Sequence, residues 1–233
     1  MAKQKLLARD TNSKTVKGQK VGYITGILYM MPDDTICPAS KVAGCREACL
    51  VSAGRGVYTN VQTARIKKTN RYKDNKEQFY ADLRKECELL VKYAAKKGMK
   101  AAIRLNGTSD IDHTDFIASL PYIQFYDYTK RVAIVQKAKA LSNYHVTFSY
   151  SSNARYQKHV NEAVHAGSNI AVVFRNKALP EYFMGLPVVT GDETDLRFLD
   201  KGQVVIGLYA KGKAKKDTSG LVVDLPDNVI AVA

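Results

Sequence analysis

Three of the chain's four cysteines fall in one stretch, Cys37-Pro38-Ala39-Ser40-Lys41-Val42-Ala43-Gly44-Cys45-Arg46-Glu47-Ala48-Cys49, at the spacing C-x7-C-x3-C. Thiolates are soft ligands suited to zinc or to iron–sulfur clusters. A closed zinc site needs four ligands, and this loop has no histidine. A [4Fe–4S] cluster is held by cysteine thiolates, and three of them leave one iron open. Pro38, Gly44 and Gly54 suit a loop that wraps an inorganic core. The readings, in order of fit, are a [4Fe–4S] cluster on Cys37, Cys45 and Cys49, then zinc with a recruited fourth ligand, then unligated or disulfide-forming thiols.

A second polar string, Arg104-Leu105-Asn106-Gly107-Thr108-Ser109-Asp110-Ile111-Asp112-His113, follows an apolar run. Arg104 and Asn106 are candidates to orient an anionic ligand, and Asp110 or His113 to move a proton. The bland alternative is a strand end leading into an Asx-type cap, which suits Asp112. Asp127-Tyr128-Thr129-Lys130 joins a carboxylate, a phenol and an ammonium, as a proton-handling site or as a plain ion pair and turn. Asn106, Asp110, Asp127 and Lys130 are the candidate catalytic residues, and Arg104, Ser151 and Arg175 the candidate cofactor contacts.

The elements that must position these residues are legible as an alternation. Val21–Met31 is β-branched and aromatic and ends in the cysteine loop, as a buried strand would. Cys45–Ala53 reads as a short helix and Val57–Tyr72 as another. In Lys76–Lys97, Phe79, Leu83, Cys87, Leu90 and Ala94 form one apolar stripe before Gly98, which makes Cys87 a core residue. Strands are expected at Ala101–Leu105, Ile123–Tyr126, His145–Tyr150, Ile170–Phe174, Val188–Val189 and Val204–Leu208. Helices are expected at Arg131–Leu141, Ala154–Ala166 and Leu179–Met184. Lys211–Gly220 reads as a mobile basic loop and Leu221–Ala233 as a last extended segment.

Such alternation implies parallel βαβ units, hence an α/β fold, a partial or closed (β/α) TIM-like barrel in one domain over residues 21–233, preceded by a basic arm over 1–20. Nearly every expected strand is followed by polar residues. In such barrels those carboxyl-end loops converge on one mouth, where sites are built.

Thirty-six Lys and Arg against 22 Asp and Glu give a net charge of +14, which favours an anionic small molecule or nucleic acid as partner, or is solubilising charge. Arg55, Arg65, Lys67, Lys68, Arg71 and Lys73, with Tyr58 and Tyr72 among them, would track a phosphate backbone or form a solvated helix face. No run has membrane-spanning length and the first twenty residues lack an apolar signal core, so the expected setting is cytoplasmic. Thiols stay reduced there, which favours metal over disulfide chemistry. Nothing in the sequence fixes an oligomeric state.

The segments ICPASKVAGCREACL, SAGRG, VQTARIKKT, AIRLNGTSDI, QFYDYTK and YHVTFSYS, in that order, resemble the phage gene 88 protein family. That resemblance implies a viral protein acting in the host cytoplasm. The layout is more distantly similar to radical S-adenosylmethionine enzymes, whose three cluster cysteines follow the first strand of a partial barrel at C-x3-C-x2-C. On that likeness Cys37, Cys45 and Cys49 would be ligands, Asn106 to Asp110 would lie near a bound S-adenosylmethionine, and the chain would be a radical or redox enzyme. The alternative is a nucleic-acid or host-factor binding protein with a structural cluster or zinc.

Overall fold

The computed structural model describes residues 4–9 and 13–225. In chain order it contains β1 (Leu7–Arg9), α1 (Ser13–Gln19), β2 (Tyr23–Leu28), α2 (Thr59–Asp74), α3 (Lys76–Lys96), β3 (Lys100–Arg104), α4 (Thr114–Ala118), β4 (Gln124–Thr129) and α5 (Val132–Ala138). There follow β5 (Tyr144–Ser149), α6 (Gln157–His165), β6 (Asn169–Phe174), β7 (Tyr182–Phe183), β8 (Leu186–Thr190), β9 (Val205–Tyr209) and β10 (Val222–Val223).

One ten-stranded sheet joins them, ordered β1-β2-β3-β4-β5-β6-β9-β8-β7, with β10 beside β6. From β2 to β6 the strands are parallel and in sequence order. Each crossover therefore steps the same way, and the common right hand of such connections puts their helices on one face. The core agrees: Phe79 and Leu83 of α3, Ile117 of α4, Ile134 of α5 and Val160 of α6 share one buried cluster with Ile103, Phe125, Phe148 and Val172 of the strands. Cys87 is buried in that cluster, as its place in the stripe requires.

The expected α/β alternation is present, but the sheet is not closed; β1 and β7 remain as edges. The β8–β9 connection helps to explain the opening. Instead of returning over the helical layer, it crosses the opposite face, where Leu196 packs with Ala102 and Tyr126 against Tyr23 and Phe198. β6 also forks. Its first half pairs with β5 and its second half with β10.

Four local expectations are corrected. The basic arm contains β1, antiparallel to β2, and α1. β1 is fixed because Glu86 accepts from the amides of Leu6 (2.8 Å) and Leu7 (2.8 Å), while Lys68 donates to the Leu6 carbonyl at 2.7 Å. Cys45–Ala53 is not a helix but turns and a 3₁₀ turn at Leu50–Ser52, since Gly44 (φ +67°) and Gly54 (φ +55°) break the backbone on either side. Leu179–Met184 yields the β7–β8 hairpin, closed through Met184 and Gly185, both at positive φ. Lys211–Gly220 holds a 3₁₀ turn, Gly212–Lys216, whose Ala214 is buried with Ala48, Ala210, Leu221 and Val222. Of the expected final segment, β10 is present and residues 226–233 lie outside the described residues. Among the described residues no helix is long and apolar enough to cross a membrane.

Candidate functional site

The cysteine loop is held by the chain just beyond β3. Past β2, the Leu28 carbonyl accepts from the Gly107 amide at 3.0 Å. The Thr108 hydroxyl accepts from the Met30 amide (3.1 Å) and donates to the Met30 carbonyl (2.6 Å). Only glycine fits at 107, because an added Cβ would lie 2.6 Å from Ile27 and 2.7 Å from the Leu28 carbonyl. The Ile36 carbonyl then accepts from the Asp110 amide at 2.7 Å. These contacts carry the chain to Cys37, whose thiol donates weakly to the Thr108 carbonyl at 3.9 Å. Turns bring it back: Ser40 donates to Cys37, and Cys45 to the Ser40 carbonyl. Gly44 lies against Ser219, whose hydroxyl donates to the Gly44 carbonyl at 2.5 Å. Arg46 and Lys41 both pair with Asp34 on the outside of the loop.

Cys37, Cys45 and Cys49 are half-buried free thiols, and Cys87 is a buried one. Burial pushes the Cys37 thiol up, and the charges of Asp110, Cys49 and Cys45 add to it. Burial also raises Cys45, opposed by the Lys130 ammonium. The three thiols thus share one electrostatic neighbourhood with Lys130. Among the described residues no three or more His, Cys, Asp and Glu side chains are grouped closely enough to hold a metal ion. Cys87 belongs to the core stripe, leaving the loop three thiols of its own.

Asn106, Asp110, Asp127 and Lys130 are brought together at the ends of β3 and β4, though much of their hydrogen bonding is local. The Asn106 carboxamide oxygen accepts from Ile111 and Ser109 at 2.9 Å, and its nitrogen donates to the Ile111 carbonyl at 2.9 Å. That is an Asx-type closure of the loop. Asp110 accepts from the Thr129 hydroxyl at 2.5 Å and the Lys130 amide at 3.1 Å; burial still raises its carboxyl. Asp127 accepts from the Asn106 amide at 2.6 Å and the Tyr144 hydroxyl at 3.2 Å. It is fully buried, and burial pushes its carboxyl up to about 7. The Lys130 ammonium reaches only the carbonyls of Ser149 (3.5 Å) and Tyr150 (3.4 Å). Burial lowers it, while Cys45 and Asp110 favour its charge.

The other expected residues lie apart from this group. Arg104 points to the opposite face, pairing with Asp195 at 2.9 Å and stacking 4.5 Å from the Tyr128 ring centroid. Ser151 is buried in the β5–β6 fork, donating to the Gly220 carbonyl at 3.3 Å. Arg175 pairs with Asp224 and donates to the carbonyls of Lys215 (2.6 Å) and Asp217 (2.7 Å), bracing the segment that packs beside Ala48 and Cys45. His113 is buried beside Tyr80, 3.0 Å from its hydroxyl, and burial lowers it to about 3. Asp112 accepts from the Thr114 amide and hydroxyl, as a cap should.

The basic run is largely consumed within the fold. Lys68 holds β1, Arg71 pairs with Asp82 and Lys73 with Asp33, while Arg55 and Lys67 stay exposed. Arg65 turns inward, and its charged neighbours include the Cys49 thiol. Sequence reading grouped it with a surface stripe. The signal for its burial was its place, four residues before Thr69, on the α2 side that meets Met31.

No curated protein and no solved structure gives a significant match to the chain. The family profile described as Gene product 88 matches residues 4–225, nearly the whole of the 233. The chain belongs to the Gene product 88 family of phage proteins.

Proposed function

We propose that Cys37, Cys45 and Cys49 hold a [4Fe–4S] cluster at the carboxyl end of an open, barrel-like parallel sheet, in a redox or radical enzyme of the host cytoplasm. The observation that carries this reading is a set of three free, half-buried thiols on one loop after β2, in one electrostatic neighbourhood with Lys130. Their spread favours a cluster over a lone ion. Zinc asks four donors to meet at about 2.0–2.3 Å from one point. A cluster lets each thiolate bind its own iron, so the sulfurs stay further apart, and assembly has only to tighten a loop built of turns. When bound, it supplies one-electron transfer. Cys37 is anchored by the Thr108 bracket, Cys45 and Cys49 ride on the turns seated by Gly44 and Ser219, and Lys130 offsets thiolate charge. Asn106 and Asp110 support the loop more than they face open space, so S-adenosylmethionine contact there is the less supported part of the radical-enzyme form.

Anaerobic purification tests the reading. The protein should be brown, with visible absorbance that bleaches on reduction, and Cys45→Ala should be colourless yet folded by circular dichroism. Colourless wild type carrying stoichiometric zinc would contradict it.

A further inference from the structure

Two cations beside the thiols have no anionic partner. Arg65 is 9% exposed, yet its Nε and Nη1 have no hydrogen-bond partner. Its guanidinium lies 5.4 Å from the Tyr29 ring centroid. It also packs on Gly56, where an added Cβ would come within 3.1 Å of Nη1. Lys130 approaches from the end of β4 with only the two long carbonyl contacts and the Tyr156 ring, 5.7 Å away. Among the described residues no carboxylate is at ion-pair distance from either. Both have Cys49 among their charged neighbours.

Cations withdrawn from water without partners are costly, and a guanidinium fork fits a planar or tetrahedral oxyanion best. We infer that Arg65 and Lys130 form an oxyanion subsite beside Cys49, which takes the carboxylate or phosphate group of a small ligand and holds it against the metal centre. Thiolate charge alone leaves the directional donors of Arg65 unused; an oxyanion uses them. The inference rests on the cluster reading and names the chemistry of the ligand that would meet the cluster.

Cluster-loaded wild type, Arg65→Gln, Lys130→Gln and, as a surface control, Lys67→Gln are titrated with inorganic phosphate and with acetate. Reduced-cluster EPR is the readout. Iron and sulfide contents should be equal in all four proteins. In wild type and Lys67→Gln one of the anions should shift the signal saturably, and which one does so distinguishes a phosphate from a carboxylate ligand. Half-saturation should rise about tenfold or more in Arg65→Gln and Lys130→Gln, as expected for losing a charged hydrogen bond. Should Arg65→Gln fail to load, Arg65→Lys replaces it, keeping the charge without the fork, and the same rise is expected. A loaded wild type indifferent to both anions, or an Arg65 variant with unchanged half-saturation, overturns the subsite alone. An iron-free wild type overturns the cluster and the subsite together.

Discussion

Asp127 has no solvent exposure and accepts two hydrogen bonds, from the Asn106 amide and the Tyr144 hydroxyl. Burial nonetheless lifts its carboxyl to about 7, against about 3.9 in an unfolded chain. The folded state therefore binds the extra proton between those values. This contribution to stability is full below about pH 4 and is lost as pH rises through about 7. Urea melts should show wild type losing up to about 4 kcal/mol by this route between those limits. Asp127→Asn, which can keep both contacts, should flatten that slope; an unchanged slope would assign the pH dependence elsewhere. At this scale the sequence was uneven. The cysteine spacing singled out the three thiols, and the stripe from Phe79 to Ala94 placed Cys87 in the core. Arg65 was not separable from Lys67, because a buried and an exposed cation on one helix have the same letter pattern. Arg104 and Arg175 looked like site residues because they end strands, but strand parity turned Arg104 to the far face, and Asp224 claimed Arg175.

Among the elements, the strand–helix alternation was readable because apolar runs and periodic stripes reflect one buried face each. Short elements were not. β1 has three residues, and its pairing depends on Glu86 and Lys68, eighty and sixty-two positions away from Leu6. α4 has five residues and shows too little periodicity to be seen. Glu86→Ala should remove the acceptor of two amides and cost about 1–3 kcal/mol for each. Glu86→Gln, which keeps an acceptor, should lose less. Hydrogen exchange at the Leu6 and Leu7 amides reports this directly; protection unchanged in Glu86→Ala would mean that β1 is held by its pairing with β2 alone.

For the whole molecule, the open sheet follows from the path of residues 191–204 across the face opposite the helices. Asp195 fixes that path, pairing with Arg104 and accepting from the hydroxyls of Tyr126 (3.3 Å) and Tyr128 (3.4 Å). Both charged side chains are nearly buried, 14% and 9% exposed, so removing one strands the other. Asp195→Ala should cost about 3–5 kcal/mol in denaturant unfolding, and a loss under about 1 kcal/mol would show that apolar packing of Leu196 and Phe198 suffices. No local pattern announces this segment, since its partners come from β3 and β4, about ninety and seventy residues upstream.

The same global arrangement delivers the cysteine loop to the carboxyl ends of β3 and β4, and the central claim is that this loop holds a cluster. Iron and acid-labile sulfide, quantified in protein purified and handled without oxygen, test it most directly. The account predicts about four of each per chain in wild type, and near none in Cys37→Ala, Cys45→Ala or Cys49→Ala, with Cys87→Ala loaded as wild type. Iron and sulfide absent from wild type, or retained when Cys45 is removed, would contradict it.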